Sequence, residues 1–119
     1  MTVDLFNQRL NKVRARFAAN VERKIETLDN TLPQLCGEGN SIIERLAAAH
    51  RSVHALCGVG PTIGFVATGR AARTVEQILR QSLKAKRGLT DLELASVRAG
   101  LVELRAAAHA DAQISAAER

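Results

Sequence analysis

A chain of 119 residues with 46% hydrophobic and 24% charged side chains is expected to form one folded domain, 1–119, and is too apolar to be a disordered segment. No stretch approaches the ~18 uninterrupted apolar residues of a membrane span. Asp4, Arg9, Lys12, Arg14 and Arg16 occupy the region where a signal peptide needs its apolar core, so a cytoplasmic location is expected. The net charge of +5 is confined to 70–87, where Arg70, Arg73, Arg80, Lys84, Lys86 and Arg87 face Glu76 alone, a patch that can steer an acidic protein as well as a phosphate backbone.

The first element runs from Asp4 to Leu35. Phe6, Leu10, Val13, Phe17, Val21, Ile25, Leu28, Leu32 and Leu35 recur at steps of three and four, which predicts one long amphipathic helix bent at Pro33. A loop over Cys36–Ser41 follows, with Asn40 or Ser41 as the expected cap of the second helix. That helix carries Ile42, Leu46, Ala49, Val53, Leu56 and Gly60 on one face and is expected to stop at Gly60-Pro61. Thr62 is the expected cap of a third helix, with Ile63, Val66, Ala67, Ala71, Val75, Ile78, Leu79 and Leu83 inside and Gly88 at its close. Thr90-Asp-Leu-Glu93 is a capping-box pattern that opens a fourth helix carried by Leu94, Val97, Leu101, Leu104 and Ala108. No run alternates with period two. The fold class is all-α, an up-down antiparallel four-helix bundle, and such a bundle says nothing by itself about function.

The informative stretch is Val53-His-Ala-Leu-Cys-Gly-Val-Gly-Pro-Thr-Ile-Gly-Phe65. His54, Leu56, Gly58, Thr62, Ile63 and Gly64 fall in the register of the signature of histidine-containing phosphotransfer domains, which this segment resembles. In that family the phospho-accepting His is followed by x-x-Lys-Gly and a second Gly six residues on. Here the Lys position holds Cys57. The resemblance implies that His54 accepts a phosphoryl group, that Arg51, Cys57, Gly58, Gly64 and His50 lie near it, and that Arg70 and Arg73 meet the partner. It also implies partners: receiver domains with a phospho-accepting Asp, and a histidine kinase beyond them.

The residues themselves point the same way. At 3.6 residues per turn, His54 lies roughly 110° from the centre of the apolar stripe, on a shoulder beside Ala47, Arg51 and Gly58. Glycine in mid-helix costs ~1 kcal/mol relative to Ala. Gly58 therefore serves the close approach of a partner to His54, or else the close packing of a neighbouring helix. An unperturbed imidazole titrates near pH 6.5 and keeps a nucleophilic nitrogen at neutral pH. The sequence has no Gly-x-x-x-x-Gly-Lys, no Gly-rich kinase loop and no acidic cluster for Mg²⁺, so the expectation is a carrier and not a kinase, with no cofactor of its own and the metal supplied by the partner.

Other readings of the same residues stand beside this one. His50 and His54 have the i, i+4 spacing of a metal pair, but only Cys57 is at hand to complete it, and no metal site is expected. Two cysteines without Cys-x-x-Cys give neither a disulfide framework nor a zinc ribbon, and Cys57, near the inner stripe, reads as a structural thiol. With a neutral thiol at the Lys position, the charge for a phosphoryl group falls to Arg51, Arg70 or Arg73. The alternative within the resemblance is a degenerate member of the family that binds receivers without phosphotransfer. A basic adaptor or nucleic-acid-binding bundle using Arg73, Arg80, Lys84 and Arg87 is the other class. The absence of Tyr and Trp counts against single-strand binding, and a monomer without nucleic acid is expected.

Overall fold

The long apolar run of the first element folds as α1 (Thr2–Thr31) and then tightens into a 3-10 turn over Leu32–Leu35. Pro33 supplies no amide hydrogen and ends the α-ladder, while Leu32 and Leu35 remain buried. The expected single helix to Leu35 is thus cut at Thr31, whose hydroxyl donates to the Thr27 carbonyl at 2.8 Å. The computed structural model describes residues 2–117; Met1, Glu118 and Arg119, the ends of the expected 1–119 domain, lie outside the described residues. After the turn come α2 (Asn40–Thr62), α3 (Val66–Lys84) and α4 (Asp91–Ala117). The four helices pack against one another, and among the described residues there is no strand, only a single bridge between Cys36 and Leu89.

The stripe of α1 is buried only from Phe17 onward; Phe6 and Val13 are exposed. Thirty residues of helix span about 45 Å, more than its neighbours α4 and α2, with 27 and 23 residues, and the first turns of α1 overhang. The molecule is accordingly 57 Å long and about 20 Å across. Phe17 meets Phe65 edge to face, with ring centroids 5.1 Å apart, and Val21, Ile25, Leu46, Val53, Leu56, Val75, Leu79, Val97 and Leu104 complete the core.

Two expected caps are replaced by other devices. Neither Asn40 nor Ser41 caps α2 with its side chain; the cap position is Gly39, at φ +117°, and the Ile43 amide donates to its carbonyl. Thr62 belongs to the last turn of α2, where its hydroxyl donates to Val59, and the helix continues through Pro61. The start of α3 is capped from another helix: the Asp111 carboxylate on α4 accepts from the Thr68 amide at 2.8 Å and the Thr68 hydroxyl at 2.7 Å. At α4 the expected capping box is present, with Glu93 N–H donating to Thr90 Oγ1 at 3.1 Å and Thr90 N–H to Glu93 Oε1 at 2.9 Å.

The inner face of α3 is also rotated from its expected position. Thr68, Gly69, Ala72, Val75, Glu76, Leu79 and Ser82 are buried, while Val66 and Ala67 are exposed. Hydrophobicity skips the small and polar residues that this face buries beside its neighbours. Gly88 does not end α3, which stops at Lys84; it lets the α3–α4 loop cross the α1–α2 loop. Its amide donates to the Gly37 carbonyl at 2.8 Å, and a Cβ there would collide with the Gly37 backbone. No helix of the described residues is long and apolar enough to cross a membrane.

Candidate functional site

The rotation of α3 turns Glu76 toward α2, opposite His50 and His54. Burying an ionised carboxylate is expensive unless it is paired and hydrogen-bonded, and Glu76, 4% exposed, has three neighbours for that purpose. His54 Nδ1 is hydrogen-bonded to Oε2. Arg80, one turn further along α3, donates from Nη2 to Oε1 at 3.1 Å. His50 Nε2 stands 4.0 Å from Oε2. That is beyond hydrogen-bond reach, and this buried nitrogen has no partner among the described residues. The two imidazoles stack, with centroids 5.9 Å apart and planes 15° from parallel.

Burial pushes the Glu76 carboxyl up, but the His54 hydrogen bond and the charges of His54, Arg80 and His50 outweigh it and hold the group below the ordinary glutamate range. An ionised carboxylate only accepts. The proton of the His54–Glu76 bond therefore sits on Nδ1, and in the neutral ring Nε2 is the nitrogen with the free lone pair. The His54 side chain is 66% exposed: one edge of the ring is anchored to a buried group and the rest faces solvent.

Around it, Gly58 and Arg51 are exposed and Ala47 is half-buried. A Cβ at Gly58 would meet nothing within 4 Å, so no neighbouring helix requires glycine there. Cys57 points inward. Burial first, and then Glu76, push its thiol up against the opposing pull of Arg73 and Arg80, which keeps it a protonated, structural thiol. Gly64 is not beside His54. It sits in the turn after α2, at φ +91° and next to the Arg14 guanidinium, and the stretch of α2 from His54 to its end at Thr62 alone rises about 12 Å. Arg70 and Arg73 are exposed on α3, and neither they nor Arg51 form an ion pair among the described residues.

The stripe read as a basic face divides in two. Arg80 is committed to Glu76 and Arg87 to Glu93 at 2.6 Å, which leaves Arg73 and Lys84. Among the described residues, no three His, Cys, Asp or Glu side chains are grouped to hold a metal ion. The chain matches no family model, no curated protein and no solved structure, so the reading of this site rests on its own geometry.

Sequence reasoning missed Glu76 and Arg80 as members of the site. The signal was present: Glu76 is the lone carboxylate in a basic run and lies four residues after Ala72 and three before Leu79, on the face that is buried. A single carboxylate on an inward face needs a partner, and the opposite helix carried two histidines.

Proposed function

We propose that the chain is a phosphohistidine carrier in an up-down antiparallel four-helix bundle, with His54 as the acceptor. The observation that carries this reading is the exposed imidazole whose Nδ1–H is held by a buried carboxylate, leaving Nε2 as the nucleophile. Nε2 attacks the phosphorus of an aspartyl phosphate on a receiver domain. An N–P bond forms, the P–O bond to the aspartate breaks, and the aspartate carboxylate leaves. The ring keeps its proton on Nδ1 and becomes a cation, which Glu76 stabilises as the histidine of a Ser-His-Asp triad is stabilised by its carboxylate. Passing the group to a second receiver is the same step in reverse.

Gly58 supports the reading because its open surface admits a partner's active site to the ring. Arg51, Arg70 and Arg73, which form no ion pair among the described residues, are cations available to the partner or to the phosphoryl oxygens, in place of the ammonium that a Lys at position 57 would bring. The partners are receiver domains, with a histidine kinase upstream, and the carrier acts as a cytoplasmic monomer. Gly64 serves the turn and not the phosphoryl group.

The test is incubation with a phosphorylated receiver. The wild type should acquire an acid-labile, alkali-stable label, His54→Gln should acquire none while keeping its helicity, and His50→Gln should lose less. Label retained by His54→Gln but lost by His50→Gln would move the acceptor one helical turn. The buried thiol of Cys57 favours a second reading, a chain that binds receivers without transfer. Wild type that binds a phospho-receiver and takes no label from it would establish that one.

A further inference from the structure

On the other side of α2 from His54, α1 and α2 diverge and leave a groove of about 550 Å³ between α1, the 3-10 turn and α2. The volume lies within the range of small-molecule sites. Leu28, Leu35 and Ala49 form its apolar floor, and Arg23, Lys24 and Arg45 stand at its rim; among the described residues no carboxylate lines it. Ser52, at the α2 wall, is two residues from His54 and so roughly 200° away around the helix, which makes the groove separate from the phosphotransfer site.

Lys24 is the residue that defines the ligand. Its ammonium has three donors, and one is used on the Ser52 carbonyl at 3.0 Å. Among the described residues, none of Arg23, Lys24 and Arg45 has an ion-pair partner. Lys24 is half-buried, and burial pulls its ammonium below the usual lysine range, so the charged form lacks the stabilisation that an anion would give. A cation without a counter-charge at the mouth of an apolar trough selects for both properties at once. We propose that this groove binds a small dissolved amphipathic anion, with the apolar body on Leu28, Leu35 and Ala49 and the anionic head on Lys24, flanked by Arg23 and Arg45.

The experiment is titration of the full chain with decanoate below its micelle concentration, followed by calorimetry and backbone amide shifts. Saturable one-to-one binding is expected, with shifts centred on Leu28, Leu35 and Ala49. Decanol, which lacks the charge, should bind about tenfold more weakly, and Lys24→Gln should lose about tenfold for decanoate, the scale of one charge-assisted hydrogen bond. Ala48→Leu, at an exposed lining position, fills the trough and should abolish binding with helicity unchanged. His54→Gln should bind as wild type. The proposal is overturned by absence of saturable binding, by equal affinity for decanoate and decanol, or by wild-type affinity in Lys24→Gln. Binding to phosphatidylglycerol vesicles without binding to dissolved decanoate overturns it as well, because the surface would then be a membrane contact.

Discussion

Glu76 on α3 and Asp111 on α4 are both buried carboxylates, 4% and 6% exposed, yet their partners differ in kind. Asp111 accepts from a backbone amide and a hydroxyl of Thr68, groups fixed at the start of a helix, where a negative charge also meets the helix dipole. Glu76 accepts from an exposed imidazole and a half-exposed guanidinium, groups that change partner or protonation without moving the backbone. Burial alone does not mark a functional carboxylate. What distinguishes Glu76 is that its hydrogen bonds lead outward, to a side chain a second protein can reach.

Substitution at each carboxylate should therefore affect a different property. Asp111→Ala removes the cap of α3 and leaves the Thr68 donors buried without an acceptor, so it should cost about 2 kcal/mol or more. Thermal and denaturant unfolding read that loss, and label acquired at His54 per folded molecule should be unchanged. Glu76→Gln should show the reverse pattern. The amide can hold His54 in the wrong tautomer, and the rate of labelling should fall about 10- to 100-fold, the scale for losing a partner that orients a histidine and below that for a group that itself transfers the proton, with a smaller change in stability than Asp111→Ala. If both substitutions lower stability alone, the distinction between the two carboxylates is wrong.

Acid titration sharpens the same contrast. The folded-state value of Glu76 is depressed, so its contribution to stability is present at neutral pH, begins to be lost as the pH drops below the unfolded value of about 4.3, and is gone once the pH passes below the folded value. Stability of the wild type should fall more steeply with acid than that of Glu76→Gln, by up to about 1.4 kcal/mol per pH unit for one proton. Glu93 is depressed as well, chiefly by the Arg87 hydrogen bond. It is present in both proteins, so the difference between the two curves belongs to Glu76. Parallel curves would mean that Glu76 gains nothing from His54 and Arg80.

The sequence made the helices legible because their apolar spacing is long and regular, and the capping box at Thr90–Glu93 was readable because both halves of it are local. His54 on an exposed shoulder beside Gly58 followed from helical periodicity alone. What could not be read was whatever depends on a second helix: the cap of α3 comes from Asp111, 43 residues away in sequence, and the partner of His54 comes from Glu76, 22 residues away. The inner face of α3 was misplaced for a related reason. Thr68, Gly69 and Ser82 are buried because of what packs on them, and a hydrophobicity pattern leaves such residues outside.

The smallest expected effect is at Gly58, and it tests the surface and not the carboxylate. A glycine inside a helix gives up about 1 kcal/mol relative to alanine, and a Cβ at this position meets nothing within 4 Å. Gly58→Ala should therefore stabilise the chain by about 0.5–1 kcal/mol, read as a rise in the unfolding midpoint, and a methyl group should leave access to His54 nearly intact. Gly58→Leu has a helix propensity close to that of alanine and should keep most of the gain in stability. Its side chain, though, covers the surface one turn from the imidazole and should obstruct a receiver. Stability that rises in both variants while labelling falls only in Gly58→Leu would assign the glycine to the partner's approach. Labelling unchanged in Gly58→Leu would leave Gly58 without a role, since the open space around it already removes helix packing as the reason for its presence.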